Sequence, residues 1–228
     1  MHVPDGFLSL PASLATGVVA AAGVGLALRG ARRELDERTS PLAGLVAAFV
    51  FAAQMLNFPV AAGTSGHLLG GALAAVLVGP WTATLCLTVV LAVQALLFAD
   101  GGVTALGTNI VLMGLVGVWV GWGAFVAVRR VLPQRPASAA PAASVGGLLS
   151  VPAAAAVFAL LFGVAGTVPV PLDVVVGAMV GVHVLIGLGE AVITGLVVSA
   201  VVAVRPDLVY GARPLLQRPA VPSERVPA

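Results

Sequence analysis

Residues 174–195 read VVVGAMVGVHVLIGLGEAVITG, and only His183 and Glu190 in that run can ionise. A stretch this long and this apolar exceeds the roughly 18–20 residues that cross a bilayer as a helix. The rest of the chain repeats the pattern. The 228 residues are 60% hydrophobic and 9% charged, whereas a soluble domain carries about 25% charged residues. The reading is an all-α, polytopic integral membrane protein of about seven transmembrane helices. They fall at roughly 11–29, 41–56, 61–79, 81–99, 103–128, 145–166 and 174–203. The third is the least regular. It opens in VAAGTSGHLLGG (60–71), and reads either as a full helix or as an entering loop followed by a short one. Broken segments are tolerated in a membrane only where protein or a cavity surrounds them.

Positive charge sets the orientation. All eleven basic residues are arginine, at 29, 32, 33, 38, 129, 130, 135, 205, 213, 218 and 225. Seven spans put every one of them on a single face, which is then cytoplasmic. The N-terminus is expected outside and the C-terminus inside, in the plasma membrane of a prokaryote. The other face holds Met1, His2, Asp5, Asn57, Asp100 and Asp173. Residues 1–204 read as one transmembrane domain, and 205–228 as a Pro/Arg-rich cytoplasmic tail. The loop PQRPASAAPAA (133–143) reads as flexible. Cys86, the single cysteine, sits in an apolar run and reads as a small core residue.

Function classes narrow at once. With no lysine the chain lacks a Walker A phosphate loop, so no ATP is expected on it. Any ATP-driven step belongs to a partner. Lipid surrounds the chain and nothing in it points to nucleic acid.

The chain begins MHVPDGFL (1–8). The Met1 amine, the His2 amide nitrogen and the His2 imidazole can wrap one ion in fused chelate rings. An α-amine titrates near 7.7–8.0, so it is available at neutral pH. Ions that accept tetragonal nitrogen fields suit such a chelate. The Pro4-Asp5-Gly6 run is turn chemistry. It folds the terminus back, with Phe7 and Leu8 as anchors. His67, in GTSGHLLGG, falls on the same side of the membrane and supplies a fourth nitrogen. Gln54, Asn57, Gln94 and Asn109 cluster at the level of His67 and suit an outer ring that orients the ligands, joined by Thr64 and Ser65 beside His67. The alternatives are an incidental terminal histidine, a His67 bonded in a helix contact, and amides that glue helices together.

His183 and Glu190 lie seven residues apart, on one helix face and two turns from each other. They form either a pathway pair or a packing pair, and lie too deep to join the terminal chelate directly.

MHVPDGFL, NFPVAAGTSGHLLGGALAAVLVGPW (57–81), ALLFADGGVTALGTNIVLMG (95–114) and HVLIGLGEAVITG (183–195) together resemble the CbiM/NikM family. These are the cobalt- or nickel-specific substrate-binding components of energy-coupling factor transporters. The resemblance runs from Met1 to about residue 200. It implies a cobalt or nickel ion as transported substrate, held by Met1, His2 and His67. It also implies partners: a transmembrane coupling subunit, cytoplasmic ATPase subunits and a small accessory membrane subunit. A transporter subunit, not an enzyme, is the expectation. The competing reading is an intramembrane enzyme or proton-coupled metal carrier that uses His183 and Glu190. Against the enzyme, no HExxH-like spacing or nucleophile motif is present.

Overall fold

The computed structural model describes residues 1–37, 39–56, 58–59 and 65–216. Five apolar helical stretches are long enough to cross a membrane. They are α1 (Leu10–Ala31), α4 (Pro80–Leu97), α5 (Leu106–Val131), α6 (Ala139–Ala165) and α7 (Leu172–Val204). Helix α2 (Ser40–Gln54) has 15 residues and spans about 22 Å at 1.5 Å per residue. Large apolar side chains on α1 and α7, among them Val18, Leu185 and Leu196, are more than half exposed. That is the outer face of a multi-pass membrane protein, where lipid replaces a partner.

Of the two readings of the third segment, the full helix at 61–79 is corrected and the entering stretch followed by a short helix holds. Only α3 (Gly71–Val78) is helical, and eight residues cover about 12 Å. Its apolar run merges in sequence with that of α4, but two backbone dihedrals separate them. Gly70 (φ 74°) turns the chain into α3, and Gly79 (φ 96°, ψ 151°) ends it before Pro80 opens α4. Glycine alone adopts such angles at little cost. All eight α3 residues are buried, and α2, α4, α5, α6 and α7 surround them. The short helix is therefore the centre of the bundle, not a wall of it. Upstream, β1 (Phe58–Pro59) and β2 (Ser65–Gly66) pair antiparallel.

Two further expectations change. Within the 133–143 loop, Ala139 already starts α6, and Ala139, Ala142 and Ala143 are fully buried. Alanine favours helix, and Pro141 is tolerated in a first turn. The packed body also continues past Arg205. Val209 and Ala212 are buried against Phe125 and its neighbours, and Tyr210 lies 5.7 Å from the Trp122 ring. The remaining tail, 217–228, lies outside the described residues.

Helix α5 contains a π-helical stretch, Ile110–Gly117, placed just after Asn109. The close approach of α6 to α7 rests on Gly187. A Cβ there would sit 2.8 Å from the Leu148 carbonyl oxygen, which Pro152 leaves without its helical N–H partner. The core divides into two buried clusters. One surrounds α3 and Phe125 at the arginine-bearing end. The other holds Met1, Val3, Phe7, Leu69, Phe158 and Met179. The first residue of the chain is therefore interior: Met1 is 1% exposed.

Candidate metal centre

The terminus reaches the interior by the turn that its sequence encodes. Gly6 takes φ 72°, and the Phe7 N–H donates to the Pro4 carbonyl at 3.4 Å. The Phe7 ring then lies between Phe158 and Phe162, at 5.9 and 5.4 Å between centroids. Leu8 pairs with Gly166 across an antiparallel bridge, and Ser9 N–H donates to the Ala165 carbonyl at 2.9 Å. Nearer the start, Asn109 treats Val3 as a strand partner would. Its Oδ1 accepts the Val3 N–H at 2.8 Å, and its Nδ2 donates to the Val3 carbonyl at 3.2 Å. Gly102 N–H donates to the same carbonyl at 2.9 Å. Asp5 accepts the N–H and hydroxyl of Thr104 at 2.7 and 2.5 Å. These bonds, the hydroxyl foremost, hold its carboxyl below the usual carboxylate range.

This path leaves residues 1 and 2 buried beside His67. His2 Nε2 pairs with Gln94 Oε1 at 3.1 Å. A carbonyl oxygen cannot donate, so Nε2 carries a proton, and in the neutral ring Nδ1 is the atom with the free lone pair. That Nδ1 is buried and makes no hydrogen bond, although Asp100 Oδ1 stands 3.1 Å away. His67 follows the same logic in mirror image. Its Nδ1 donates to the Leu68 carbonyl at 2.7 Å, which leaves the Nε2 lone pair directed at the Met1 amine, with which it is in close contact. The two imidazole rings lie 4.5 Å apart. Burial favours the neutral amine and its lone pair, against the opposing pull of the Asp100 and Glu190 carboxylates. The Met1 amine and the two imidazoles thus lie together, with the His2 amide nitrogen between them in the chain.

Among the described residues no three His, Cys, Asp or Glu side chains are grouped to hold a metal. Two of the nitrogens beside His67, the Met1 amine and the His2 amide, belong to the main chain.

The supporting residues divide by what they hold. Gln94 contacts His2 directly, and Asn109 fixes Val3. Gln54 Nε2 donates to the Leu69 carbonyl at 2.7 Å and so holds the His67 segment. Asn57 and Thr64 lie outside the described residues, and Ser65 is described only through its backbone pairing with Pro59. His183 Nδ1 donates to the Met179 carbonyl at 2.7 Å, and its Nε2 is buried without a hydrogen bond. Neither His183 nor Glu190 bonds to Met1, His2 or His67. Glu190 instead accepts the N–H groups of Leu69 and Gly70, at 2.6 and 2.8 Å. Sequence reasoning missed Asp100 as a neighbour of His2. Its one signal was its place at the outer end of a span, before Gly101-Gly102.

The chain was compared with known proteins. Residues 2–208 match the family described as "CbiM: Cobalt uptake substrate-specific transmembrane region". The chain is 40% identical over 210 residues to a protein of Haloquadratum walsbyi assigned to metal transport, covering 92% of this chain and 94% of that one. It is 35% identical over 241 aligned positions to the fused nickel transport protein NikMN of Rhodobacter capsulatus, covering 99% of this chain and 67% of that one. The fold is similar to the crystal structure of a truncated transition metal transporter, with a TM-score of 0.82 and 32% identity. That match covers 89% of this chain and 99% of the other.

Proposed function

The chain belongs to the CbiM family of cobalt-uptake transmembrane regions, and from that premise we propose that it is the substrate-binding component of an energy-coupling factor importer. It is a cobalt/nickel transport component of the plasma membrane. In the proposed mechanism the ion arrives from outside, on the arginine-free face. It displaces the proton of the His2 amide, and is held by that nitrogen, the Met1 amine, His2 Nδ1 and His67 Nε2. Four nitrogens suit tetragonal Ni(II) or low-spin cobalt. A transmembrane coupling subunit, cytoplasmic ATPases and a small accessory membrane subunit complete the importer, and ATP is hydrolysed on the partners.

The observation that supports this reading is the convergence of the Met1 amine with two imidazoles whose outward bonds leave Nδ1 of His2 and Nε2 of His67 carrying lone pairs. The test is metal analysis of purified protein with its native, untagged start. About one Co or Ni per chain is expected. A Gly-Ser extension ahead of Met1, or His67→Ala, should abolish binding. Full stoichiometry in the extended protein would remove the amine from the ligand set. Binding should also weaken in acid, because the ligands must lose protons to coordinate.

A further inference from the structure

Glu190 is 2% exposed, midway along α7, and 120 residues from the amides it accepts. Each carboxylate oxygen takes one amide. Oε2 accepts Leu69 N–H at 2.6 Å, and Oε1 accepts Gly70 N–H at 2.8 Å. These donors sit where α3 begins, so the carboxylate meets the positive end of the helix. Capping a short helix is one consequence. The other follows from which peptide unit is gripped.

The peptide joining Leu68 to Leu69 makes two bonds. Its carbonyl accepts the Nδ1–H of His67 at 2.7 Å, and its N–H donates to Glu190 Oε2 at 2.6 Å. One rigid, polar plane thus stands between the imidazole and the carboxylate. Many metal-ligating histidines donate their second N–H straight to a carboxylate, which fixes the tautomer and raises the basicity of the ligating nitrogen. Here the same chain has a peptide group inserted: Glu190 carboxylate, 68–69 amide, His67 imidazole, then the Nε2 lone pair facing Met1. Bonds in series polarise one another where the surroundings are apolar, and Leu69 on this path is 0% exposed.

We propose that Glu190 is a positioning residue for the ion, acting on His67 through the 68–69 peptide. It fixes the ring orientation and strengthens Nε2 as a donor. This rests on the ligand set proposed above. The carboxylate touches no donor nitrogen, so it tunes the site without joining it.

Glu190→Gln keeps the volume but turns an amide N–H2 toward a backbone N–H. With a native N-terminus, this variant should bind Ni(II) about 10–100-fold more weakly, the range for loss of an orienting carboxylate. It should also release the ion faster and shift the ligand-field absorption of bound Ni(II). Glu190→Asp should restore part of the affinity. Glu34→Gln, which removes another buried helix-capping carboxylate, is the control and should leave affinity and spectrum unchanged. Equal affinity, release rate and spectrum for wild type and Glu190→Gln would overturn the proposal. If Glu190→Gln fails to fold, nitrogen-15 NMR of the wild-type imidazoles decides. His67 protonated at Nδ1 is expected, and protonation at Nε2 overturns the relay. Failure of the native protein itself to hold about one ion per chain would sink the ligand set, which is a separate outcome.

Discussion

Helix α3 is bracketed by two constructions built from the same parts. At its outer end a left-handed Gly70 precedes the helix, and Glu190 accepts two successive amides. At its inner end Gly79 breaks the chain before α4, and Glu34 accepts the N–H of Trp81 at 3.2 Å and of Thr82 at 2.7 Å. The Thr82 hydroxyl adds a third bond at 2.9 Å. Both carboxylates are buried. The difference lies in what stands next to each. Beside Glu190 the chain carries His67, whose second nitrogen points at the Met1 amine. Beside Glu34 it carries Trp81, packed edge-on against Trp119 at 4.4 Å, with no ligating side chain in the bonded set. A buried capping glutamate is therefore not by itself a mark of function. The mark is an imidazole lone pair held toward the chain's own amine.

The comparison is put under most strain by Gly79→Ala, which strikes the inner end alone. The backbone there sits in a region that is essentially glycine-only, at a cost of about 1–3 kcal/mol for another residue. The new Cβ would also stand 2.4 Å from Glu34 Cδ. A lowered thermal midpoint in detergent is expected, with about one metal per folded chain retained. Loss of metal from protein that is still folded would mean that the two ends of α3 act as one unit.

A smaller effect sharpens the outer end. Gln94→Leu removes the acceptor that fixes the His2 tautomer. An orienting partner of this kind contributes about tenfold or more in affinity, so isothermal titration should show weakening toward the lower end of the Glu190→Gln range. Stability should fall by about 1–3 kcal/mol, because the buried His2 Nε2–H loses its acceptor. A larger loss at Gln94 than at Glu190 would reverse their order of importance.

How far the sequence could be read follows from the same contrast. Span positions were legible because 18 or more apolar residues in a row have few other uses. The 61–79 segment reads as either a full or a short helix because hydropathy counts residues and not dihedrals. GALAAVLV is apolar all round and runs on into α4, and the breaks at Gly70 and Gly79 leave no hydropathy signal. His2, His67, Gln54, Gln94 and Asn109 stood out as polar groups in an apolar chain, and the structure brings them to one end of the bundle. The grip of Glu190 on the 68–69 peptide was not legible. Its donors are main-chain N–H groups with no side-chain signature, and only the packing of α7 against the bundle brings the two together. The role of Asp100 was hidden for the related reason that a two-glycine turn aims it.

The smallest effect belongs to Asp5, at the rim. Its carboxyl is exposed, and the Thr104 hydroxyl and N–H lower its pKa in the folded protein. A lowered folded-state pKa gives stability that is present above the ordinary carboxyl range and is lost as pH falls through the lowered value. The expected contribution at neutral pH is small, because water screens an exposed charge. Asp5→Asn should accordingly change Ni(II) release by no more than about fivefold, since exposed pairs contribute about 1 kcal/mol or less. The sharper readout is the hydrogen-exchange protection factor of the Thr104 amide in metal-free protein, which separates docking from ligand protonation. In the wild type it should fall as pH drops below the carboxyl range, and in Asp5→Asn it should be flat. A pH-dependent Thr104 amide in the variant would assign the rim's acid response to another group.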